Sequence, residues 1–335
     1  MCCEQVWHSE DQCTGAPQPT RTSMIQERVG LRLCVLLLFS CLIGGSDAAQ
    51  AKPIEVVTTT ADLASLAQEV GGNQVHVSYL ADGYEDPHYV QRDPFFLLKL
   101  RHADLLILIG LQLESTWLED QFQFVAQSGN PRIQYGASGS LDVSRYADIA
   151  DIPNQVSRAQ GIHPLGNPHY WLDPENGRRI SQAIATKLTE IRPDCASYFE
   201  QRFQAFTLRL TESEKVWDQK MRPYRGRRVI TYHRAWTNFL MYFGLVSSGE
   251  IEPLPGIPPS AHHTNDLIRT MKRDDIRLIV VEPYFELTTP GRIARATGSH
   301  VLILWPSVGS NKQVTDYFKL LDCNVDLLVQ AFSSF

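Results

Sequence analysis

The sequence predicts an α/β protein of two lobes, each a mostly parallel sheet covered by helices, joined by one long backbone helix. Three observations carry this expectation. Asp104-Leu105-Leu106-Ile107-Leu108-Ile109-Gly110 is nearly continuous apolar, as strands buried on both faces of a parallel sheet are. Strand and helix patterns alternate along two separate stretches. Between them lies the longest helical pattern in the chain, with Phe199, Phe203, Phe206, Leu210, Trp217 and Met221 on one stripe.

In order, residues 54–59 are a β-rich opening strand. Leu63, Leu66, Ala67 and Val70 then recur at helical spacing, and Gly71 is a good stop. Residues 75–80 alternate like a second strand, residues 95–102 form a helix, and the apolar run at 104–110 is the third strand. Ser197-x-x-Glu200 reads as a capping box that opens the linker helix. A helix from Ser197 to about Met221 would be roughly 37 Å long, and such a connector limits lobe motion more than a Gly/Ser hinge would. The second rhythm has a strand at 228–232, a helix at 235–243 ending at Gly244, and strands at 277–281 and 301–304. The domain organisation expected is an N-terminal extension (1–51), an N-terminal lobe (52–196), the linker helix (197–226) and a C-terminal lobe (227–335).

With 335 residues, 43% of them hydrophobic, the chain can bury one large or two medium cores. The net charge of -6 and the lack of cationic stripes argue against a nucleic-acid partner. Arg28 and Arg32 flank an apolar run from Leu33 to Phe39 that is too short to span a bilayer but fits a signal-peptide core. Ala49-Gln50-Ala51 is a small-x-small cleavage site that leaves Lys52 first, and Met24 fits the start of such a signal. The rival processing route is lipid attachment at Cys41. Beyond the signal only Cys195 and Cys323 remain, either as a pair in an oxidising compartment or as two buried thiols.

Three histidines stand in similar settings: His88 in Asp86-Pro87-His88, His169 in Asn167-Pro168-His169-Tyr170-Trp171, and His233 in Thr231-Tyr232-His233-Arg234-Ala235-Trp236. Each closes an apolar or extended run and opens a turn. Neutral imidazole is the commonest protein ligand for zinc, and the wide spacing excludes a zinc finger. The other histidines have plainer readings. His76 alternates with apolar neighbours and faces solvent, His102 sits late in a helix, His262 and His263 follow a Pro-rich loop, His300 lies on the surface, and His163 belongs to a loop. Tyr170, Trp171 and Trp236 pack around the site.

The chain from Pro53 onward resembles the solute-binding proteins of zinc and manganese ABC importers. The resemblance rests on the residues around Asp86-Pro87-His88, on Gly110-Leu111-Gln112-Leu113-Glu114, Pro168-His169-Tyr170-Trp171-Leu172-Asp173-Pro174 and Tyr232-His233-Arg234-Ala235-Trp236. Glu252-Pro253-Leu254-Pro255-Gly256 and Glu282-Pro283-Tyr284-Phe285 add to it. It implies two α/β lobes on one long helix, with His88 and His169 from the first lobe and His233 from the second around a metal in the cleft. His233 would precede a helix whose positive end keeps the ring neutral. The family's usual aspartate ligand is missing, because that stretch reads Leu304-Trp305-Pro306-Ser307. Glu282 is the expected fourth ligand, ahead of Glu252 or water. The family's His- and Asp-rich loop is absent from the sequence between Gly136 and Gly166.

The function this implies is an extracytoplasmic, periplasmic receptor, monomeric and not an enzyme. It captures a divalent ion and delivers it to the membrane permease of an ABC importer. Three imidazoles and one carboxylate favour Zn(II) over Mn(II) or Fe(II). The alternatives are a zinc hydrolase using three histidines, a manganese or iron receptor, and an adhesin on the same scaffold. No His-Glu-x-x-His helix supports the hydrolase.

Overall fold

A computed structural model describes residues 52–153, 164–254 and 256–335. The export-signal reading, with Met24 and Cys41, lies outside the described residues, as does His163. In the first lobe β1 (Ile54–Thr60) leads into α1 (Ala61–Gly71), followed by β2 (Val75–Ala81), α2 (Pro94–His102), β3 (Leu105–Leu108), α3 (Glu119–Ser128) and β4 (Ser140–Asp142). The strands form a parallel sheet in the order β2-β1-β3-β4. All four residues of β3 are buried, as its unbroken apolar run requires.

Helix α4 (Pro174–Ile191) packs against α1, and the long helix α5 (Ala196–Met221) then leads to the second lobe. The second lobe repeats the pattern with β5 (Arg228–Thr231), α6 (Thr237–Tyr242), β6 (Val246–Glu250), α7 (Ala261–Arg273), β7 (Leu278–Val281), α8 (Thr288–Thr297) and β8 (His300–Ile303), closed by α9 (Tyr317–Phe332). Its sheet is also parallel, in the order β6-β5-β7-β8. Chain order therefore reverses between β1 and β3 and again between β5 and β7. Open parallel sheets bind ligands at the carboxyl ends of strands flanking such a reversal.

The linker helix α5 buries Phe199, Phe206, Leu210, Trp217 and Met221, while Phe203 is half-buried. Trp217 also donates from Nε1 to Asp322 Oδ1 of α9 at 2.8 Å. One buried cluster runs from β1 through α4 and α5 to β5, β7 and α9, so the lobes share a core along this side. Among the described residues no helix is long and apolar enough to cross a membrane.

Several local expectations need correction. The capping box at Ser197 does not form. The short 3-10 turn Pro193–Cys195 runs straight into α5, so Ser197 lies inside the first turn and Cys195 occupies the cap without a side-chain bond. The helix expected at 235–243 is shorter, because Ala235 and Trp236 belong to the turn after β5. Helix α2 begins at Pro94, whose fixed φ suits a first position, and the Asp93 side chain caps it. Strands β4 and β6 have no sequence-level expectation: β4 has three residues, and β6 reads Val-Ser-Ser-Gly-Glu at a half-exposed sheet edge. Cys195 and Cys323 are free thiols, each half-buried.

The plain readings of the remaining described histidines agree with their surroundings except at His263, for which the sequence predicts exposure. His76 is exposed beside Glu55, His102 ends α2, and His300 opens β8 exposed. His262 is exposed in the first turn of α7, whereas His263 is half-buried with Nε2 2.8 Å from the Glu250 carbonyl oxygen.

Candidate metal centre

His88, His169 and His233 meet. One ring nitrogen from each lies within 4.8 Å of the others. The ring centroids form a nearly equilateral triangle, 5.0 Å from His88 to His169, 5.1 Å from His88 to His233 and 5.2 Å from His169 to His233. All three are at least 96% buried, their exposures being 4%, 1% and 4%. Three imidazole nitrogen donors this close together are suited to a single divalent ion.

Each ring is oriented by a different turn. His88 follows β2 in a turn clamped from behind: Trp117 Nε1 donates to the Pro87 carbonyl at 2.9 Å and Thr116 Oγ1 to the His88 carbonyl at 2.7 Å. His169 precedes the 3-10 turn Tyr170–Leu172, whose Tyr170 carbonyl accepts from Asn176 Nδ2 at 3.1 Å. Trp171 reaches across to the second lobe and donates from Nε1 to the Pro306 carbonyl at 3.0 Å. His233 leaves the carboxyl end of β5, where the Tyr232 N–H still bonds to the Val280 carbonyl of β7.

The Nδ1 atoms of all three rings are engaged. His88 Nδ1 is 2.7 Å from Asp86 Oδ1, His169 Nδ1 is 2.9 Å from Asn167 Oδ1, and His233 Nδ1 is 2.8 Å from Glu252 Oε2. Each partner atom is an oxygen of a carboxylate or amide and accepts, so each Nδ1 carries the proton. Coordination then falls to Nε2, the tautomer that such outer-shell oxygens impose on metal-binding histidines. Asp86-Pro87-His88 and Asn167-Pro168-His169 share one local device. The Asx Oδ1 accepts both the backbone N–H of the histidine two residues on, at 3.0 Å in each case, and its ring. That repeated Asx-Pro-His is the sequence signal by which both orienting residues are recognisable. Glu252 has no such local signature, because it reaches His233 only through the pairing of β5 with β6.

Burial is the leading cause that lowers the His233 pKa; the nearby His88 adds to it, and the Glu252 hydrogen bond opposes it. The expected helix-end effect is not among these causes, since α6 starts only at Thr237. Burial also works to raise Asp86, but the hydrogen bond and charge of His88 outweigh it and hold that carboxyl below its usual range.

The carboxylates differ in what they have left to offer. Glu252 is committed on both oxygens, Oε2 to His233 and Oε1 to the Gly256 N–H at 2.5 Å. Glu282 directly follows β7 and is fully buried. Its Oε1 accepts from Trp236 Nε1 at 3.0 Å, while its buried Oε2 has no hydrogen-bond partner. Burial pushes its pKa well above the ordinary carboxyl value, partly offset by the backbone and Trp236 bonds. Glu282 is not in the group of donors within 4.8 Å of one another. Ser307, in the stretch where the family's aspartate is missing, donates instead to Asp62 Oδ2, and the Val308 N–H donates to Asp62 Oδ1 at 2.9 Å.

The chain was compared with known proteins. The family model described as "Zinc-uptake complex component A periplasmic" matches residues 56–331. The manganese ABC transporter substrate-binding lipoprotein PsaA of Streptococcus mitis is 21% identical over 90% of this chain and 97% of its own length. The iron-binding protein YfeA of Yersinia pestis is 25% identical over 90% of this chain and 95% of its own. Among solved structures, a zinc-bound deletion mutant of ZnuA superposes with a TM-score of 0.70 at 26% identity, covering 83% of this chain and 98% of that one. A manganese-bound periplasmic metal-binding protein from candidatus liberibacter asiaticus has the same fold, with a TM-score of 0.69 at 19% identity over 83% of this chain and 99% of that one. With its matched segment running through both lobes and all three histidines, this chain belongs to the periplasmic zinc-uptake complex component A family.

Proposed function

We propose that the protein is an extracytoplasmic receptor that captures one Zn(II) ion between its lobes and delivers it to the permease of an ABC importer. The observation that carries this reading is the buried triangle of His88, His169 and His233, each with Nδ1 engaged by an oxygen acceptor. In it, Nε2 of each histidine ligates the ion and Glu282 supplies the fourth donor. Two facts support Glu282. Among the buried carboxylates that flank the site it alone keeps an oxygen without a hydrogen bond, and a zinc ion would favour its ionised form against the burial that opposes it. Its side chain has to swing toward the triangle to do so, which closure of the cleft on the ion would favour.

Zinc is preferred over manganese because three imidazoles and one carboxylate form a nitrogen-rich, four-donor set, whereas manganese favours oxygen-rich, higher-coordinate sites. Relatives carry zinc, manganese or iron in their names, so the donor set and not the family selects the metal. The family is one of uptake components rather than enzymes. Residues 1–51 serve as the export signal and its extension, cleaved before Lys52, and the receptor works as a monomer.

Titration calorimetry on metal-free protein tests the reading. One zinc per chain should bind tightly, with manganese markedly weaker. Removing a ligand by His169→Ala should cost more than the roughly 10–100-fold that loss of an outer-shell partner costs. Absent zinc binding, or a His169→Ala variant as tight as the parent, would contradict it.

A further inference from the structure

We infer that Asn167 is a positioning residue through which the orientation of the His169 ring and the approach of the two lobes are linked. This rests on the zinc-receptor reading above. Asn167 is 5% exposed. Its Oδ1 accepts from the His169 N–H at 3.0 Å and from Nδ1 at 2.9 Å. Its Nδ2 donates across the cleft to the carbonyl of Arg234, the residue after His233, at 2.7 Å, and to Asp151 Oδ2 at 3.0 Å. One amide thus holds one histidine by its acceptor end and the backbone beside another by its donor end. A carboxamide serves both ends, whereas the isosteric carboxylate of Asp could not donate to the Arg234 carbonyl.

Asp151 completes the clasp. The same Oδ2 accepts from the hydroxyl of Thr237, the first residue of α6 in the second lobe, at 2.8 Å. Asp151 holds its backbone at φ +54°, in the left-handed region. A short polar side chain tolerates that conformation, and a residue kept there against its preference is over-determined by its surroundings. Here those surroundings are Asn167 and Thr237, from one lobe each. The clasp lies at the side of the triangle where the His169 and His233 turns meet. Tightening the lobes on an ion therefore shortens the same contacts that fix the His169 tautomer, and loosening the clasp releases both.

Two variants of the full chain separate this from a merely structural role. Metal-free and zinc-loaded proteins are compared by competition with a zinc-binding dye and by long-range proton–nitrogen NMR of the His169 ring. Asn167→Ala should weaken zinc by about 10–100-fold and replace the single Nδ1–H pattern of His169 in the metal-free protein with mixed tautomers. Thr237→Val, which removes the hydroxyl that donates to Asp151 Oδ2 and accepts from Asn167 Nδ2 at 3.4 Å but leaves both bonds of Asn167 Oδ1, should weaken zinc by about fivefold and admit a minor second tautomer of His169. Zinc affinity in either variant within twofold of the parent, or a single unchanged tautomer in Asn167→Ala, overturns the linkage while leaving the receptor reading intact. A parent protein without zinc affinity overturns both. Should Asn167→Ala fail to fold, Thr237→Val alone still decides.

Discussion

Glu114 stands where β1 and β3 end in the first lobe, and Glu282 stands where β7 ends beside β5 in the second. Both are buried carboxyls next to the point where strand order reverses. Glu114 is saturated. Its Oε1 accepts from the Thr59 hydroxyl and the Ile109 N–H, each at 2.8 Å, and its Oε2 from the Gly110 N–H at 3.1 Å. Glu282 Oε1 accepts from the Trp236 side chain, while its Oε2 has no hydrogen-bond partner. Burial raises both, Glu114 to about 7 against the opposing bonds of its donors, and Glu282 well above the ordinary carboxyl value against that of Trp236. The like topology of the lobes therefore does not give like chemistry. In the first lobe a carboxyl plugs the strand ends, and the histidines come from loops, His88 after β2 and His169 before α4. In the second lobe the strand ends themselves face the cleft, with His233 after β5 and Glu282 after β7.

The largest effect that separates these roles is expected from Glu282→Gln. Zinc affinity should fall by at least the roughly 10–100-fold of an outer-shell loss, while metal-free stability changes little, because Gln keeps the acceptor for Trp236. Unchanged zinc affinity would remove Glu282 from the site and leave the fourth position to water. Glu114→Gln should show the reverse. The amide turns a donor toward the Gly110 N–H and should cost about 1–3 kcal/mol in chemical denaturation, with zinc affinity preserved among molecules that remain folded. A loss of zinc affinity without a loss of stability would mean that the two carboxyls are not so different after all.

Asp62, in the first turn of α1 just past β1, sharpens the comparison at lower amplitude. It is fully buried, and burial raises it from 3.8 to about 7 against the opposing bonds from Ser307 and Val308. The folded chain keeps its proton up to about pH 7, whereas the unfolded chain loses it near pH 4. Between these values the folded state binds more protons, so the contribution of Asp62 to stability falls as pH rises. An Asp62→Asn variant accepts from Val308 and can donate to Ser307 without ionising. It should gain on the parent steadily between about pH 4 and 7, and parallel stability curves across that window would refute the burial effect.

The fold and the triad were legible in the sequence for separate reasons. Apolar runs such as the one through β3 and the stripe on α5 report burial directly, and the three histidines share turn contexts that a buried lone histidine lacks. Polar edge strands do not report themselves: β6 offers no alternation, and with it the Glu252–His233 bond stayed out of reach. The family's usual aspartate was legible only as a gap, at Leu304-Trp305-Pro306-Ser307. Nothing local distinguishes Glu114 from Glu282, since each ends or follows an apolar run. The difference between them lies in how many N–H and O–H groups the folded chain aims at each, which depends on residues up to 55 positions away.

A crystal structure of the zinc-loaded protein, with anomalous scattering at the zinc edge, tests the central claim most directly. The account expects one zinc between the lobes, about 2.0–2.1 Å from Nε2 of His88, His169 and His233, with all three Nδ1 contacts to Asp86, Asn167 and Glu252 retained. A zinc ion bound elsewhere, or bound through Nδ1 with those contacts broken, would contradict it.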